Sequence, residues 1–452
     1  MGIAICVFAF VTTYVLARKS LTRGIAAVFA FGYIFGIFRA NVPETASYFI
    51  FDSSVLALFI SQHRLITQPF LTHEGQRLKH WVVGLMLWPI LLFLVPLQDP
   101  MVQLVGLRGN IFLLPFILIG AQLKDEEIYQ LALWLAALNV AACMVGAAEF
   151  IFGIEHFFPR NAITELIYRS NDVSSVNAYR IPSTFSNAHS YGGMMLISLP
   201  WIAGAWVQRH AKMWHKQLLL AGIITGMIGV FLSAARIHFV GLIIVITVFT
   251  FSTRLRPVYR VAWILVLVAV GYLVASNPRL QRFTTLSNSE YVTTRIQSSV
   301  NVSIFDAIYE YPFGVGLGGG GTSMPYFLSD RVFRPVVVES ELGRIQLETG
   351  LIGTVAWLGF FLWVFTRPRP TRDKPWFLGV RMSWFQCLAF CLTGFIGIGL
   401  LTAIPLTAML MLLLGWMACY HDKHTRVFAS PAHSTFVSRP VANRNDRQVP
   451  LR

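Results

Sequence analysis

Long apolar runs alternate with short polar, mostly basic intervals along nearly the whole chain. Apolar runs of about 20 residues span a ~30 Å hydrocarbon core as helices. A backbone at that depth must satisfy its own hydrogen bonds, which leaves helices or a closed barrel. The runs here are continuous, as from Val261 to Ala275, whereas barrel strands alternate apolar and polar residues. The pattern predicts an all-α, polytopic integral membrane protein with about 12–13 transmembrane helices. Spans are predicted near 3–17, 24–38, 47–60, 81–97, 101–121, 129–152, 191–208, 217–233, 236–252, 260–276, 346–365, 380–398 and 400–419. The fifth contains Arg108, which leaves open a start beyond that residue. The last two are divided only by Gly397, Gly399 and Pro405.

Charge sets the orientation. The first run, Ile3 to Ala17, has no basic residue before it and is followed by Arg18, Lys19 and Arg23. That reverses the order of a cleavable signal peptide and predicts a first span with its N-terminus outside. Thirteen spans counted from there place eighteen Lys and Arg in the inner loops, among them Arg64, Lys124, Arg209, Arg254 and Arg367. The short outer loops hold Arg39, Arg108 if the fifth span starts beyond it, and little else, as the positive-inside rule requires. The organisation predicted is then 1–276, spans 1–10 with a smaller outer loop near 153–190; 277–345, a large outer (periplasmic) loop; 346–420, spans 11–13; and 421–452, a basic, disordered cytoplasmic tail. The absence of an internal repeat argues against a transporter built from two related halves.

Composition agrees. Of 452 residues, 55% are hydrophobic and 13% charged, about half the charged fraction of a soluble domain. The net charge of +15 would suggest nucleic acid in a soluble protein. Here it falls in the inner loops and tail, so no nucleic-acid partner is predicted. Cys6, Cys143, Cys387, Cys391 and Cys419 lie in apolar segments. Cys387 and Cys391 are one turn apart, but no His or third Cys joins them. They read as small core residues, not metal ligands or a disulfide.

Polar chemistry gathers on the outer side. The long loop carries Arg295, Asp306, Glu310, the run Gly314-Val-Gly-Leu-Gly-Gly-Gly-Gly321, Asp330, Arg331, Arg334, Glu339, Glu341 and Arg344. The glycine run lacks a following Lys-Ser/Thr pair and is no P-loop. It predicts a flexible turn or a close backbone approach, with contact to a diphosphate as the functional alternative. Glu341, Arg344 and Glu348 are spaced i, i+3, i+7 and share one helix face, as an ion-pair ladder or as the lining of a wet cavity. Arg236 interrupts the apolar segment from Val230 to Gly241 at the outer end of two spans. It is either snorkelling to the headgroups or a cation for an anionic lipid diphosphate, for which the bidentate, always-charged guanidinium is suited. Arg180 stands just before span 7 on the same side. His189 reads as a satisfied interfacial histidine before it reads as a base. No metal cluster, Ser-His-Asp set or nucleotide fingerprint is present, and the outer face offers no ATP. A reaction there must use a substrate that already carries its leaving group, and a sugar on a lipid diphosphate is one.

Three segments resemble the O-antigen ligase and O-antigen (exopolysaccharide) polymerase superfamily of bacterial membrane glycosyltransferases. They are Arg180-Ile-Pro-Ser-Thr-Phe-Ser-Asn, Leu232-Ser-Ala-Ala-Arg236, and Pro312-Phe-Gly-Val-Gly-Leu-Gly318 with Gln346-Leu-Glu-Thr-Gly-Leu-Ile-Gly353. With their surroundings they cover about a quarter of the chain. The resemblance implies a multi-pass protein of the bacterial inner membrane that needs no cofactor or metal. Its donor would be an undecaprenyl-diphosphate-linked oligosaccharide, and other polysaccharide assembly and export proteins would be its partners. Arg180, Arg236, Arg295 and Arg344 would bind substrate, and Glu339 or Glu341 would take the proton. Many members carry His-Asn eleven residues before the glycine at position 350; here Glu339-Ser340 stands there. That departure favours polymerisation over O-antigen ligation to lipid A-core. A transporter or flippase of lipid-linked glycans and a non-catalytic assembly partner are the rival readings.

Overall fold

The computed structural model describes residues 1–70, 72–169, 179–208, 212–252, 304–320, 324–333, 335–336, 338, 340–395, 397 and 401–429. All regular elements among them are helical. They are α1 (Gly2–Lys19), α2 (Leu21–Asn41), α3 (Ile50–Ser61), α4 (His63–Thr67), α5 (His73–Phe93), α6 (Pro100–Ile111), α7 (Pro115–Gln122), α8 (Asp125–Phe152), α9 (Glu165–Arg169), α10 (Ala188–Trp206), α11 (Met213–Leu232), α12 (Arg236–Ser252), α13 (Ile304–Glu310), α14 (Glu341–Phe365), α15 (Phe377–Thr393) and α16 (Leu406–Ala429), with short 3-10 turns between. Six helices, α6 and α7 counted together as one, are long and apolar enough to cross a membrane.

The ends follow from capping chemistry. Thr72, Asn187 and Ser340 each accept a backbone N–H of the first turn of α5, α10 and α14, and Asp99 does so for α6, with Pro100 at its first position. The predicted first nine and last three spans correspond to these helices; the tenth, 260–276, lies outside the described residues. Two boundaries differ. The fifth span is two helices meeting at residues 112–114, and Arg108 lies inside the first of them. There Asp52 of α3 takes its guanidinium bidentately at 2.9 and 2.6 Å, so the charge needs no loop. The last two spans are separated by residues 394–405, a longer link than three residues imply.

The helices alternate in direction and give the bundle two ends. At one, Gln62 donates to Ala17 O (2.7 Å), Gln122 to Leu65 O (3.0 Å) and Gln208 to Pro375 O (3.0 Å), and Arg367 pairs with Glu74 (2.6 Å). The basic intervals collect there. At the other, Asn41 donates to Phe157 O, Gln98 to Val315 O, and Tyr48 packs on Phe327. Glu44 accepts the Gly2 N–H at 2.7 Å and the terminal ammonium at 3.2 Å. These contacts, the Gly2 bond first, hold its carboxyl below the usual carboxylate range. Trp201, Trp416, Tyr33 and Phe116 fill the core, while Val11, Leu87, Met144, Val355 and Leu362 face outward. Such a surface suits lipid. Close packing uses small residues: Gly120 and Gly415 let α7 and α16 touch backbone to backbone, where a Cβ would stand about 2 Å from a carbonyl oxygen.

Candidate functional site

The first turns of α14 carry a cluster of three fully buried charged side chains. Their leading N–H groups, orphaned in any helix, are taken up from outside: Glu341 N bonds Gly397 O (3.0 Å) and Leu342 N bonds Gly394 O (3.1 Å). Glu341, Arg344 and Glu348 point from one face and are fully buried. Arg344 Nε donates to Glu341 Oε1 at 2.7 Å and Nη1 to Glu348 Oε2 at 2.6 Å. The predicted ladder is therefore real, and at 1.5 Å per residue it descends about 10 Å from the helix start. Asn110 of α6 joins it, donating to Glu348 Oε2 (2.7 Å) and Gly106 O (2.8 Å). Arg344 Nη2, Glu348 Oε1 and Asn110 Oδ1 are buried without a partner. Each belongs to a group already bonded at Glu348 Oε2 or beside it, so one donor and two acceptors are left open in a buried place.

The glycine run lies across this cluster. A Cβ on Gly320 would stand 2.9 Å from Arg344 Cγ and 3.3 Å from Glu348 Oε1, and one on Gly106 would meet Gly318 N at 2.2 Å. The close backbone approach expected of the run is what the fold uses. At Gly350 helix α14 is broken, with φ of 66°, a left-handed conformation that disfavours any Cβ. The break opens one rung of the helix. Leu347 O accepts Val315 N (2.6 Å), and Leu351 N, its normal donor, bonds Pro312 O (2.9 Å). The two segments that carry the third resemblance are thus joined backbone to backbone.

Within the smaller loop, residues 181–185 are buried among the helices. Ile181 N reaches Leu232 O, Ile37 N bonds Thr184 O (3.0 Å), and Ser183 adopts a φ of 52°. Ser183 N donates to Glu149 Oε2 (2.8 Å) and its hydroxyl to Ala142 O (2.7 Å). Glu149, on α8 and 1% exposed, keeps Oε1 unpartnered. Deeper still, Tyr33 donates to Asn139, which donates to Ser198.

Between these two places stand the histidines. His238 is buried, stacks on His189 with ring centroids 4.4 Å apart, and donates Nε2–H to the His189 carbonyl at 3.0 Å. Its Nδ1 lone pair is buried and unpartnered. His189 lies within electrostatic reach of Glu341. Arg236, half-buried, starts α12 two residues before His238, and Arg180, also half-buried with Nε unpartnered, sits beside the end of α11 through Ile181. Glu341 and Arg344 are thus in direct contact, and Arg180 and Arg236 gather at the same end of the bundle. Arg295 and Glu339 lie outside the described residues. Among those described, no group of three His, Cys, Asp or Glu is placed to hold a metal ion, and the cysteines are free. Asn110 and Glu149 were not singled out from sequence. Glu149 had a signal, a lone acid in an apolar run, which at membrane depth is costly and marks function. Asn110 had none, since an amide near a span end is ordinary. The sequence matches no protein-family model and no curated protein.

Proposed function

We propose that the chain polymerises polyprenyl-diphosphate-linked oligosaccharide repeat units into exopolysaccharide, capsule or O-antigen at the periplasmic face of the bacterial inner membrane. The observation that carries this reading is that Arg180, Arg236 and the Glu341–Arg344–Glu348 cluster lie at the same end of the bundle, away from the basic loops. An acceptor hydroxyl attacks the anomeric carbon, the bond from that carbon to the diphosphate oxygen breaks, and the lipid diphosphate leaves. Arg180 and Arg236 stabilise the charge that develops on it. The hydroxyl proton passes to a loop carboxylate. Glu341 accepts from Arg344 Nε at 2.7 Å and so also positions that guanidinium; Glu339 or Glu341 is the proposed proton acceptor.

A second reading, movement of the lipid-linked glycan between leaflets, gains from Glu149 and the Tyr33–Asn139–Ser198 chain inside the bundle. One experiment separates them. Purified protein receives lipid-linked repeat units, with EDTA present, and products are scored by length. Polymer from wild type, and none from a stably inserted Arg236→Ala variant, is expected. Donor crossing the bilayer without lengthening would replace the polymerase by a transporter. A single transfer to a lipid A-core acceptor would replace it by a ligase.

A further inference from the structure

The basic end of the bundle contains a cavity that the proposed reaction does not use. It has a volume of about 240 Å³ and opens where α14 ends and α15 begins. Arg367, Arg369 and Arg381 line it, with Phe377, Trp384 and Met417 as its apolar wall. Basic residues at the inner end of a span are ordinary as topology signals, so the charges alone say nothing. Their mounting says more. Arg367 is bound by Glu74 of α5 at 2.6 Å. Arg369 and Arg381 instead rest on rings: the Arg369 guanidinium lies 3.8 Å from the Trp384 centroid and that of Arg381 5.8 Å from the Phe377 centroid. Trp384 is in turn fixed by its indole N–H on Phe365 O at 3.3 Å. A ring takes the face of a guanidinium and leaves its in-plane N–H donors available. Those donors form the fork that matches a phosphate.

We propose that this cavity is a binding site for the phosphate headgroup of an anionic phospholipid, with Arg369 and Arg381 as its phosphate ligands. The location fits. Basic pockets between helices at the cytoplasmic surface are where anionic headgroups bind, and each Lys or Arg there contributes about a factor of five. The wall of Val364, Phe377, Phe385 and Met417 gives the first acyl carbons an apolar surface. The outward-facing Leu362 on the same helix continues it toward the bilayer.

The test uses the full chain in zwitterionic phosphatidylcholine nanodiscs doped with phosphatidylglycerol or cardiolipin. Lipid retained after extraction is counted by native mass spectrometry and affinity is titrated. Wild type is expected to retain the anionic lipid, and Arg369→Gln with Arg381→Gln to weaken it about 30-fold, two charges at roughly five each. A control, Lys212→Gln with Lys216→Gln, removes two charges from the same end away from the cavity and should leave retention within about twofold. Equal loss in the control would overturn the site in favour of general surface attraction. Equal retention of phosphatidylcholine, or an unchanged double arginine variant, would overturn it outright. Inorganic phosphate competing the lipid off at micromolar concentration would assign the cavity to a soluble phosphate instead and overturn the lipid.

Discussion

Arg344 holds two fully buried carboxylates together. Replacing it by Met keeps an unbranched, flexible side chain, two atoms shorter, and removes the charge. Glu341 and Glu348, both fully buried, would then face each other with only Asn110 donating to Glu348. Two charge-assisted bonds of 2.7 and 2.6 Å are lost. Removing one partner of a buried ion pair costs about 3–5 kcal/mol, because the charge left behind has no counter-ion. The same reasoning predicts recovery. Adding Glu341→Gln and Glu348→Gln to Arg344→Met removes the stranded charges and should restore at least half of the loss. Arg344→Lys retains the charge but a single ammonium cannot reproduce the fork, so it should fall between. Thermal unfolding in detergent can be followed with a thiol-reactive fluorophore, since Cys143, Cys387, Cys391 and Cys419 are buried and in no disulfide. A single Arg344→Met variant that melts with wild type, or a triple variant no more stable than the single, would refute the account of the cluster as a mutually neutralised unit.

Three further outcomes follow from named contacts. Gly350→Ala forces a Cβ within 2.7 Å of Phe313 C at a positive φ; it should cost at least about 1–2 kcal/mol and make the 312–320 segment cleavable under limited proteolysis, and an uncleaved, wild-type-stable variant would contradict the break. Glu149→Gln keeps an acceptor for Ser183 N and should melt near wild type, whereas Glu149→Ala strands that buried N–H and should cost about 1–3 kcal/mol; equal effects would remove the hydrogen bond as the cause. Ser329→Cys and Lys212→Cys should label from opposite sides of sealed vesicles, Ser329→Cys from the outside, and labelling from one side would overturn the topology.

The bundle was legible because lipid imposes one rule on every residue of a span. Continuous apolar runs located twelve helices, and charge parity paired their ends. What the runs could not show is where polar backbone penetrates. Residues 181–185 carry Pro182, Ser183, Thr184 and two large apolar side chains, and the groups that accommodate them inside, Glu149, Ala142, Leu232 and Ile37, all lie more than thirty residues away in sequence. The ladder on α14 was visible from its i, i+3, i+7 spacing, because helix geometry alone fixes it. Asn110, its fourth member, was not, since it arrives from a helix more than two hundred residues away. The sequence leaves the start of the fifth span open at Arg108 for the same reason. The carboxylate partner of Arg108, Asp52, is remote in sequence, and a lone arginine suggests a loop until that partner is seen.

The rung that α14 surrenders at Gly350 bears on how the protein is made. In hydrocarbon an unmet N–H or carbonyl is expensive, and α14 on its own would carry both, at Leu347 and Leu351. Their partners, Pro312 and Val315, precede them in the chain and so are synthesised first. The helix can settle only where that segment is already waiting, which makes the 312–315 segment a template for the helix that follows it. A chain in which that segment is cut away should accordingly fail to seat α14, so that an error upstream is caught as a failure of assembly.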